Sequence, residues 1–323
     1  MDYAEAGVDI EKSDEAVAAL AARIGGGGGE YAGLIEYGDD LLALTTDGVG
    51  TKILVAEAME DYSTVGIDCI AMNVNDLVAM NVEPLAFVDY LVVEEPDEGV
   101  SEEIGEGLAD GAERAGVRVV GGETAVMPEV VDGVDLAGSC VGTASPDGVI
   151  DGSGVQQGDA LVGMPSNGVH SNGLTLARKA LTGGDEEAYH EEVPYKDATV
   201  GDELLEPTRI YTEVLGVAEE YDVRGAAHIT GGGFTNLERV AEARFVVDSP
   251  LPTPPIFELI QDGGEVADDE MYRTFNMGTG FVLVVPEDEA DAVAEAVDGG
   301  VIGSVEEGDD GSGGVVVDGI ELD

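Results

Sequence analysis

Residues 64–82 limit the possible architecture of this chain more than any other stretch. Val65, Ile67, Ile70, Ala71, Met72, Val74, Leu77, Val78 and Met80 cover every side of a helix. A helix that is apolar all round is a buried one. Its polar exceptions are Asp68, Asn73, Asn75 and Asp76. Asp68 and Asn75, seven residues apart, share a face, and Asp76 lies beside them. A carboxylate on a buried helix is costly unless it is hydrogen-bonded, paired or bound to metal. Pro84 ends the helix, and Leu85 to Val93 reads as a strand.

Strands that run into glycines or polar residues recur along the chain. The apolar run Leu41 to Leu44 opens a strand to Thr46 that enters Thr46-Asp47-Gly48-Val49-Gly50-Thr51-Lys52. This turn is not a P-loop, because Thr51 precedes Lys52 where that motif needs Gly-Lys-Ser/Thr. Its glycines still let the backbone approach a ligand and aim N–H groups at it. Val117 to Val120 reads as a short strand running into Gly121-Gly122-Glu123-Thr124. Ala160 to Gly163 leads to Ser166-Asn167-Gly168-Val169-His170-Ser171-Asn172-Gly173 and a helix to about Leu181. Ala226 to Ile229 leads to Thr230-Gly231-Gly232-Gly233 and a helix from about Thr235 to Ala243. In α/β folds, ligands gather at such strand ends.

The pattern also predicts helices over Ala16–Ile24, 52–61, 97–115, 208–221 and 287–298, and strands over 134–144, 245–247, 280–285 and 301–305. The five glycines 25–29 read as a loop, either a flap over a ligand or a plain linker. Pro146-Asp147-Gly148 and Asp151-Gly152-Ser153-Gly154 form a turn-rich stretch, the expected domain boundary. The chain therefore divides into an N-terminal α/β domain, residues 1–152, and a smaller α+β domain of few strands, residues 153–323.

The 323 residues include 69 acidic and 13 basic ones, a net charge of −56. Apolar periodicity persists from end to end, so disorder is not the explanation. The acids are spread over the whole chain, which points to adaptation to high salt. At about 1 M ionic strength the Debye length is about 3 Å, and dense carboxylates barely repel. Such a charge excludes nucleic-acid and anionic-membrane partners. No run approaches the ~20 apolar residues of a membrane span. The N-terminus has neither the basic nor the apolar region of a signal peptide, and a cytoplasmic location is expected. Cys69 and Cys140 sit in apolar strings and read as buried free thiols. With so few bases, a phosphate must be held by backbone N–H groups, helix N-termini and divalent cations.

Asp47, Asp76 and Glu123 are three carboxylates in apolar or glycine settings. They suit Mg²⁺ bridging nucleotide phosphates, or they are ordinary turn and cap acids. His170 stands in a polar loop before a helix, where it could shuttle a proton or cap backbone. His228 interrupts an apolar strand and reads as a structural histidine, while His190 among acids reads as exposed. Gly231 to Gly233 suits either an anion at a helix N-terminus or a tight turn. Cys69 on a buried helix is no nucleophile.

Nine segments in order resemble the phosphoribosylformylglycinamidine cyclo-ligases, the aminoimidazole ribonucleotide synthetases of purine biosynthesis. They begin with Tyr3-Ala4-Glu5-Ala6-Gly7-Val8-Asp9-Ile10, Thr46 to Lys52, and Gly66-Ile67-Asp68 through Asn75-Asp76-Leu77. Glu83-Pro84-Leu85 with Asp89-Tyr90, and Gly121 to Ala125 with Met127-Pro128, follow. The second half adds Ser166 to Gly173, Pro207 to Tyr211, Ala227 to Gly233, and Glu270 to Asn276 with Gly278.

The resemblance implies a two-domain ATP-dependent synthetase with a dimerising N-terminal sheet. It implies ring closure of formylglycinamidine ribonucleotide: ATP phosphorylates the formyl oxygen, a nitrogen attacks, and phosphate leaves. It implies Asp47, Asp76 and Glu123 as Mg²⁺ ligands, and His170, Lys52 and Asp47 as catalytic residues. Gly48, Gly50, Thr51, Lys52, Asn75, Gly121, Gly122, Thr124, Ser171, Asn172, Gly231 and Gly232 would line the ATP site, in a homodimer. One departure stands out: Gly25 to Gly29 is followed by Glu30-Tyr31-Ala32-Gly33, without the lysine that the family usually carries there. The alternatives share the fold: formylglycinamidine ribonucleotide synthase and thiamine-monophosphate kinase. A selenophosphate synthetase would need a reactive cysteine near the N-terminus, and a non-catalytic nucleotide-binding module would not need Asp47, Asp76, Glu123 and His170 together.

Overall fold

A computed structural model describes residues 1, 3, 6, 7, 10–24, 31–307 and 313–322. The glycine run 25–29 lies outside them. The first half contains α1 (Ile10–Ile24), β1 (Gly33–Tyr37), β2 (Asp40–Gly48), α2 (Ile53–Met59), α3 (Val65–Ala79), β3 (Glu83–Val93), α4 (Glu98–Ala115), β4 (Arg118–Val126) and β5 (Val134–Ala144). Its five strands form one sheet in the order β1-β2-β5-β3-β4. The pair β3–β4 is parallel, joined through α4, and the other pairs are antiparallel.

The second half contains β6 (Ala160–Pro165), α5 (Leu174–Thr182), α6 (Val200–Leu205), α7 (Glu213–Glu220), β7 (Gly225–His228), β8 (Arg244–Val247), α8 (Pro255–Gly264), α9 (Asp268–Thr274), β9 (Thr279–Val285), α10 (Ala290–Ala296), β10 (Gly300–Glu306), β11 (Gly314–Val317) and β12 (Ile320–Leu322). Its seven strands make a second sheet, β12-β11-β8-β10-β6-β9-β7. This sheet is larger than expected. The short β11 and β12, with little room for periodicity, escape a pattern search.

The apolar helix behaves as its composition demands. Every residue of α3 except Asp76 is buried. It packs on β2, β3 and β5, against α4, and against β7 of the second sheet. Its crossing with α4 is a backbone contact. A Cβ at Gly66 would lie 2.2 Å from the amide nitrogen of Leu108, and one at Gly107 would lie 2.6 Å from the Ser63 carbonyl oxygen. Glycine costs a helix roughly 1 kcal/mol relative to alanine, which close packing of the two helices offsets.

Four local expectations change. β4 does not stop at Val120: Gly121 to Thr124 pair in register with Val88 to Leu91. As an edge strand it is exposed along its length, so its polar residues look like a loop in sequence. β2 likewise runs through Asp47 and Gly48. Residues 208–212 are not helical, because α3 side chains take up the backbone N–H groups of Thr208 and Tyr211. The helix expected after Gly233 is a 3₁₀ stretch, Gly233–Arg239.

Candidate functional site

Three of the four polar exceptions on α3, Asp68, Asn75 and Asp76, face the seam between the two sheets and are bonded there, while Asn73 is bonded within the first half. Asp68 accepts from Thr208, at 2.8 Å from its amide and 2.6 Å from its hydroxyl, and pairs with Lys52 Nζ at 2.7 Å. Asn73 donates to the Asp47 carbonyl at 3.2 Å. Asn75 accepts from the Tyr211 amide at 3.0 Å and donates to the Arg209 carbonyl at 2.8 Å. Its amide also lies 3.3 Å from His228 Nε2, while His228 Nδ1 lies 3.0 Å from Asp76 Oδ1. With Asn75 oriented by its backbone partners, Nε2 is the acceptor, so Nδ1–H donates to Asp76. His228 therefore fixes the one α3 carboxylate that reaches solvent. It is buried, as expected of a structural histidine, but its partner is a candidate site residue.

Asp47, at the end of β2, faces this pair. One of its carboxylate oxygens accepts from the Gly48 amide at 2.7 Å. Burial, and the charge of Asp76, push its pKa above the usual carboxylate range, against the pull of the Gly48 N–H and His228. Among the described residues no lysine or arginine pairs with Asp47 or Asp76. After Asp47, Gly50 has φ +68°, and no atom comes within 4 Å of where its Cβ would stand. The loop is thus open to a ligand at its backbone. The second half supplies its other wall: the Ser171 hydroxyl donates to the Val49 carbonyl at 3.0 Å, and Thr51 and Thr175 hydroxyls are 3.0 Å apart. Asn172 Oδ1 lies 3.5 Å from where a Gly231 Cβ would stand, and Gly232 follows at φ +109°. Asp47, Gly48, Gly50, Thr51, Asn75, Asp76, Ser171, Asn172, Gly231 and Gly232 therefore belong to one seam.

Glu123 does not join them within this chain. The sheet register runs Asp47–Gly138–Asp89–Gly122, so Gly122 is three strand spacings from Asp47, about 14 Å. Glu123 pairs with Tyr90 in the next row and points to the opposite face. Gly121, Gly122 and Thr124 share that distant edge. Among the described residues no three His, Cys, Asp or Glu side chains come close enough to hold a metal ion. The carboxylate that does share the face of Asp47 is Asp89, two strand spacings away, about 10 Å. Burial pushes its pKa up. A Cβ at Gly122 would lie 2.1 Å from Asp89 Oδ1, so glycine is needed there to give this carboxylate room. The alternation Phe87-Val88-Asp89-Tyr90-Leu91, with an acid in the inward phase, was its sequence signal.

Lys52 and His170 are not where a catalytic role would put them. Lys52 is 0% exposed, held by Asp68 and by the Glu206 carbonyl at 2.6 Å. An ammonium enclosed by these oxygens has no face left for a phosphate. His170 is also buried, at φ +65°. Its Nε2 accepts from the amides of Asn167 at 3.1 Å and Arg209 at 3.5 Å, and its Nδ1 has no partner. Burial above all, with the positive charges of Lys52 and Arg209 nearby, holds its pKa well below the usual value. A neutral imidazole whose Nε2 is used as a backbone acceptor organises its loop, and its one N–H, at Nδ1, is buried away from any cleft. Tyr211, packed against both histidine rings, was not anticipated as part of the site.

At the C-terminal end of α3 a half-open cavity of about 240 Å³ lies between Leu41, Met80, Ile150 and Arg239. It contains none of the residues expected to bind phosphate.

Known proteins resemble each half of the chain. Residues 29–144 match the model described as AIR synthase related protein, N-terminal domain, and residues 156–316 match its C-terminal domain. The phosphoribosylformylglycinamidine cyclo-ligase of Methanococcoides burtonii is 50% identical over 318 residues, 95% of each chain. That of Methanosarcina acetivorans is 48% identical over the same share, and that of Pyrococcus horikoshii 48% identical over 90% of this chain and 89% of its own. Among solved structures, AaThiL complexed with AMPPCP and TMP superposes with a TM-score of 0.68, at 20% identity over 95% of this chain and 93% of that one. The hydrogenase maturation protein HypE in complex with ATP gives 0.60 at 18% identity, covering 85% of this chain and 81% of that one. At such identities these structures share the fold. Near-half identity along almost the whole length is a closer bond, and by it this chain belongs to the phosphoribosylformylglycinamidine cyclo-ligase family.

Proposed function

We propose that this protein closes the imidazole ring of aminoimidazole ribonucleotide from formylglycinamidine ribonucleotide, converting ATP to ADP and phosphate. The observation that carries the reading is the 48–50% identity with cyclo-ligases over 95% of both chains. The formyl oxygen is a poor leaving group, and its phosphate ester is a good one. Transfer of the terminal phosphoryl group to that oxygen breaks its bond to ADP. Attack by the ring-closing nitrogen on the same carbon then expels phosphate. The protein's share is positioning and charge neutralisation.

The residues of the seam fit a divalent cation. Asp47 and Asp76 are close enough to feel each other's charge, among the described residues no lysine or arginine pairs with either, and burial first and then the charge of Asp76 raise the pKa of Asp47. Mg²⁺ takes one or two carboxylates and completes its shell with water and phosphate oxygens, so the pair suffices and a protein triad is unnecessary. Once bound, such an ion neutralises charge on the transferring phosphate. Asn75 and His228 would keep Asp76 in place, and the backbone of Gly48 to Thr51 would approach the phosphates.

We assign the exposed apolar edge of the first sheet to a second copy of the chain. Val119, Val120 and Val126 of the edge strand β4 are 41–60% exposed, and Val88 and Tyr90 of β3 are 41–42% exposed on the sheet face that Glu123 shares, apolar surface that a lone protomer would leave wet. Glu123 stands on that edge, so its part in the reaction, if read as metal binding, belongs to the dimer. The domain boundary at 152/153, a cytoplasmic location and adaptation to molar salt complete the reading. No helix among the described residues is long and apolar enough to cross a membrane.

An isotope experiment tests the mechanism. With ¹⁸O in the formyl group, the label should appear in the released phosphate. Unlabelled phosphate alongside ring product would refute activation of that oxygen.

A further inference from the structure

Lys52 lies next to the open loop, yet its ammonium is turned away into the seam. It meets Asp68 Oδ2 at 2.7 Å and the carbonyl of Glu206 at 2.6 Å. Asp68 uses its other oxygen on the amide and hydroxyl of Thr208. One ion pair thus ties together α2, α3 and the extended segment 206–211 of the second half. That segment carries the remaining stitches: Arg209 and Tyr211 bond to Asn75, and the Arg209 amide points at His170. The neighbouring contacts Ser171–Val49 and Thr51–Thr175 are neutral. The Lys52–Asp68 pair is fully buried, and it spends one of only four lysines where no ligand can reach it.

We infer that Lys52 and Asp68 form a latch that holds the Asp47–Thr51 loop in register with the 206–211 segment, making Lys52 a positioning residue. A buried pair of this kind is worth little against a neutral replacement of both partners, whereas removing one partner strands a charge. The latch also sets geometry. Asp47 precedes Lys52 by five residues, while Asn75 and Asp76 follow Asp68 on the same helix. Fixing Lys52 to Asp68 and Glu206 therefore fixes the carboxylate pair relative to the second half.

The activity readout rests on the cyclo-ligase reading, but the melting and exchange readouts do not. Wild type, Lys52→Met, Asp68→Asn and the double variant are compared in molar KCl for melting temperature, kcat and KM for ATP. The latch predicts that Lys52→Met melts lower by more than about 4 °C, the effect of a stranded buried charge in a chain of this size, and loses at least roughly tenfold in kcat. Adding Asp68→Asn should return at least half of the melting loss, because the stranded charge is gone. Equal or worse melting of the double variant overturns the latch. So does a Lys52→Met protein of wild-type stability whose KM for ATP rises roughly tenfold, the behaviour of a phosphate ligand. Hydrogen exchange on the wild type needs no variant to fold: the Thr208 amide should be protected to the level of the core, and loop-like exchange there would contradict the latch. If wild type fails to close the ring while the exchange and melting predictions hold, the function reading falls and the latch stands.

Discussion

At the scale of single residues, the protein separates acids that neutralise a partner from acids that lack one. Asp68 is spent on Lys52 and Thr208. Asp76 is oriented by His228 and remains partly exposed. Asp76→Asn should lower ring closure at least about 100-fold, the scale of a lost transition-state electrostatic contact, with melting nearly unchanged. Wild-type turnover in that variant would remove Asp76 from the site. His228→Phe should cost roughly 10–100-fold in turnover, the usual price of losing the group that orients a ligand; steady-state kinetics checks it. His170 gives a pH prediction. Its pKa is held down in the folded protein, so the unfolded chain binds the proton more readily below about pH 6.5. Stability from this group is complete above that pH and declines as the pH falls below it. Melting curves between about pH 7 and pH 5 should therefore drop less steeply for His170→Gln than for wild type. Parallel curves would mean that His170 is not buried neutral. Asp47 works in the opposite sense: its raised pKa makes the folded state bind protons more readily above the unfolded value, so acidification through that window relieves strain.

At the scale of elements, α3 organises everything else. Its crossing with α4 leaves no room for a methyl group, so Gly66→Ala should destabilise the protein by about 1–3 kcal/mol or more through overpacking. Urea unfolding with an unchanged midpoint would contradict that contact. The burial of α3, and its status as carrier of Asn75 and Asp76, could be read from sequence because an all-apolar helix has only one environment. The strands β3 and β5 were equally legible from their length and composition. β4 was legible only in its first residues, since an edge strand needs no apolar alternation and Gly121 to Thr124 imitate a turn. The burial of Lys52 and His170 was not legible for a related reason. Sequence shows that a lysine or histidine follows a glycine loop, but whether the side chain turns to solvent or into a seam is decided by Asp68 and Glu206 for Lys52 and by Arg209 for His170, which lie 16 to 154 residues away along the chain. The same non-local pairing placed Asp89, not Glu123, on the face of Asp47.

At the scale of the whole molecule, two forces shape the protein: the stitched seam between its halves and a surface carrying a net charge of −56. Self-repulsion of that surface should weaken as salt rises. The melting temperature should therefore be higher in molar KCl than in dilute buffer, and an equal or lower value would exclude salt adaptation. The apolar edge of the first sheet predicts a dimer that Val120→Glu disrupts, a change sedimentation would read directly. The most direct measurement remains chemical. Purified protein is given formylglycinamidine ribonucleotide, ATP and Mg²⁺ in molar KCl, and aminoimidazole ribonucleotide and ADP are counted together. Equal amounts of ring product and ADP, both lost in Asp76→Asn, are the predicted result; ADP formed without any ring product would contradict the assignment.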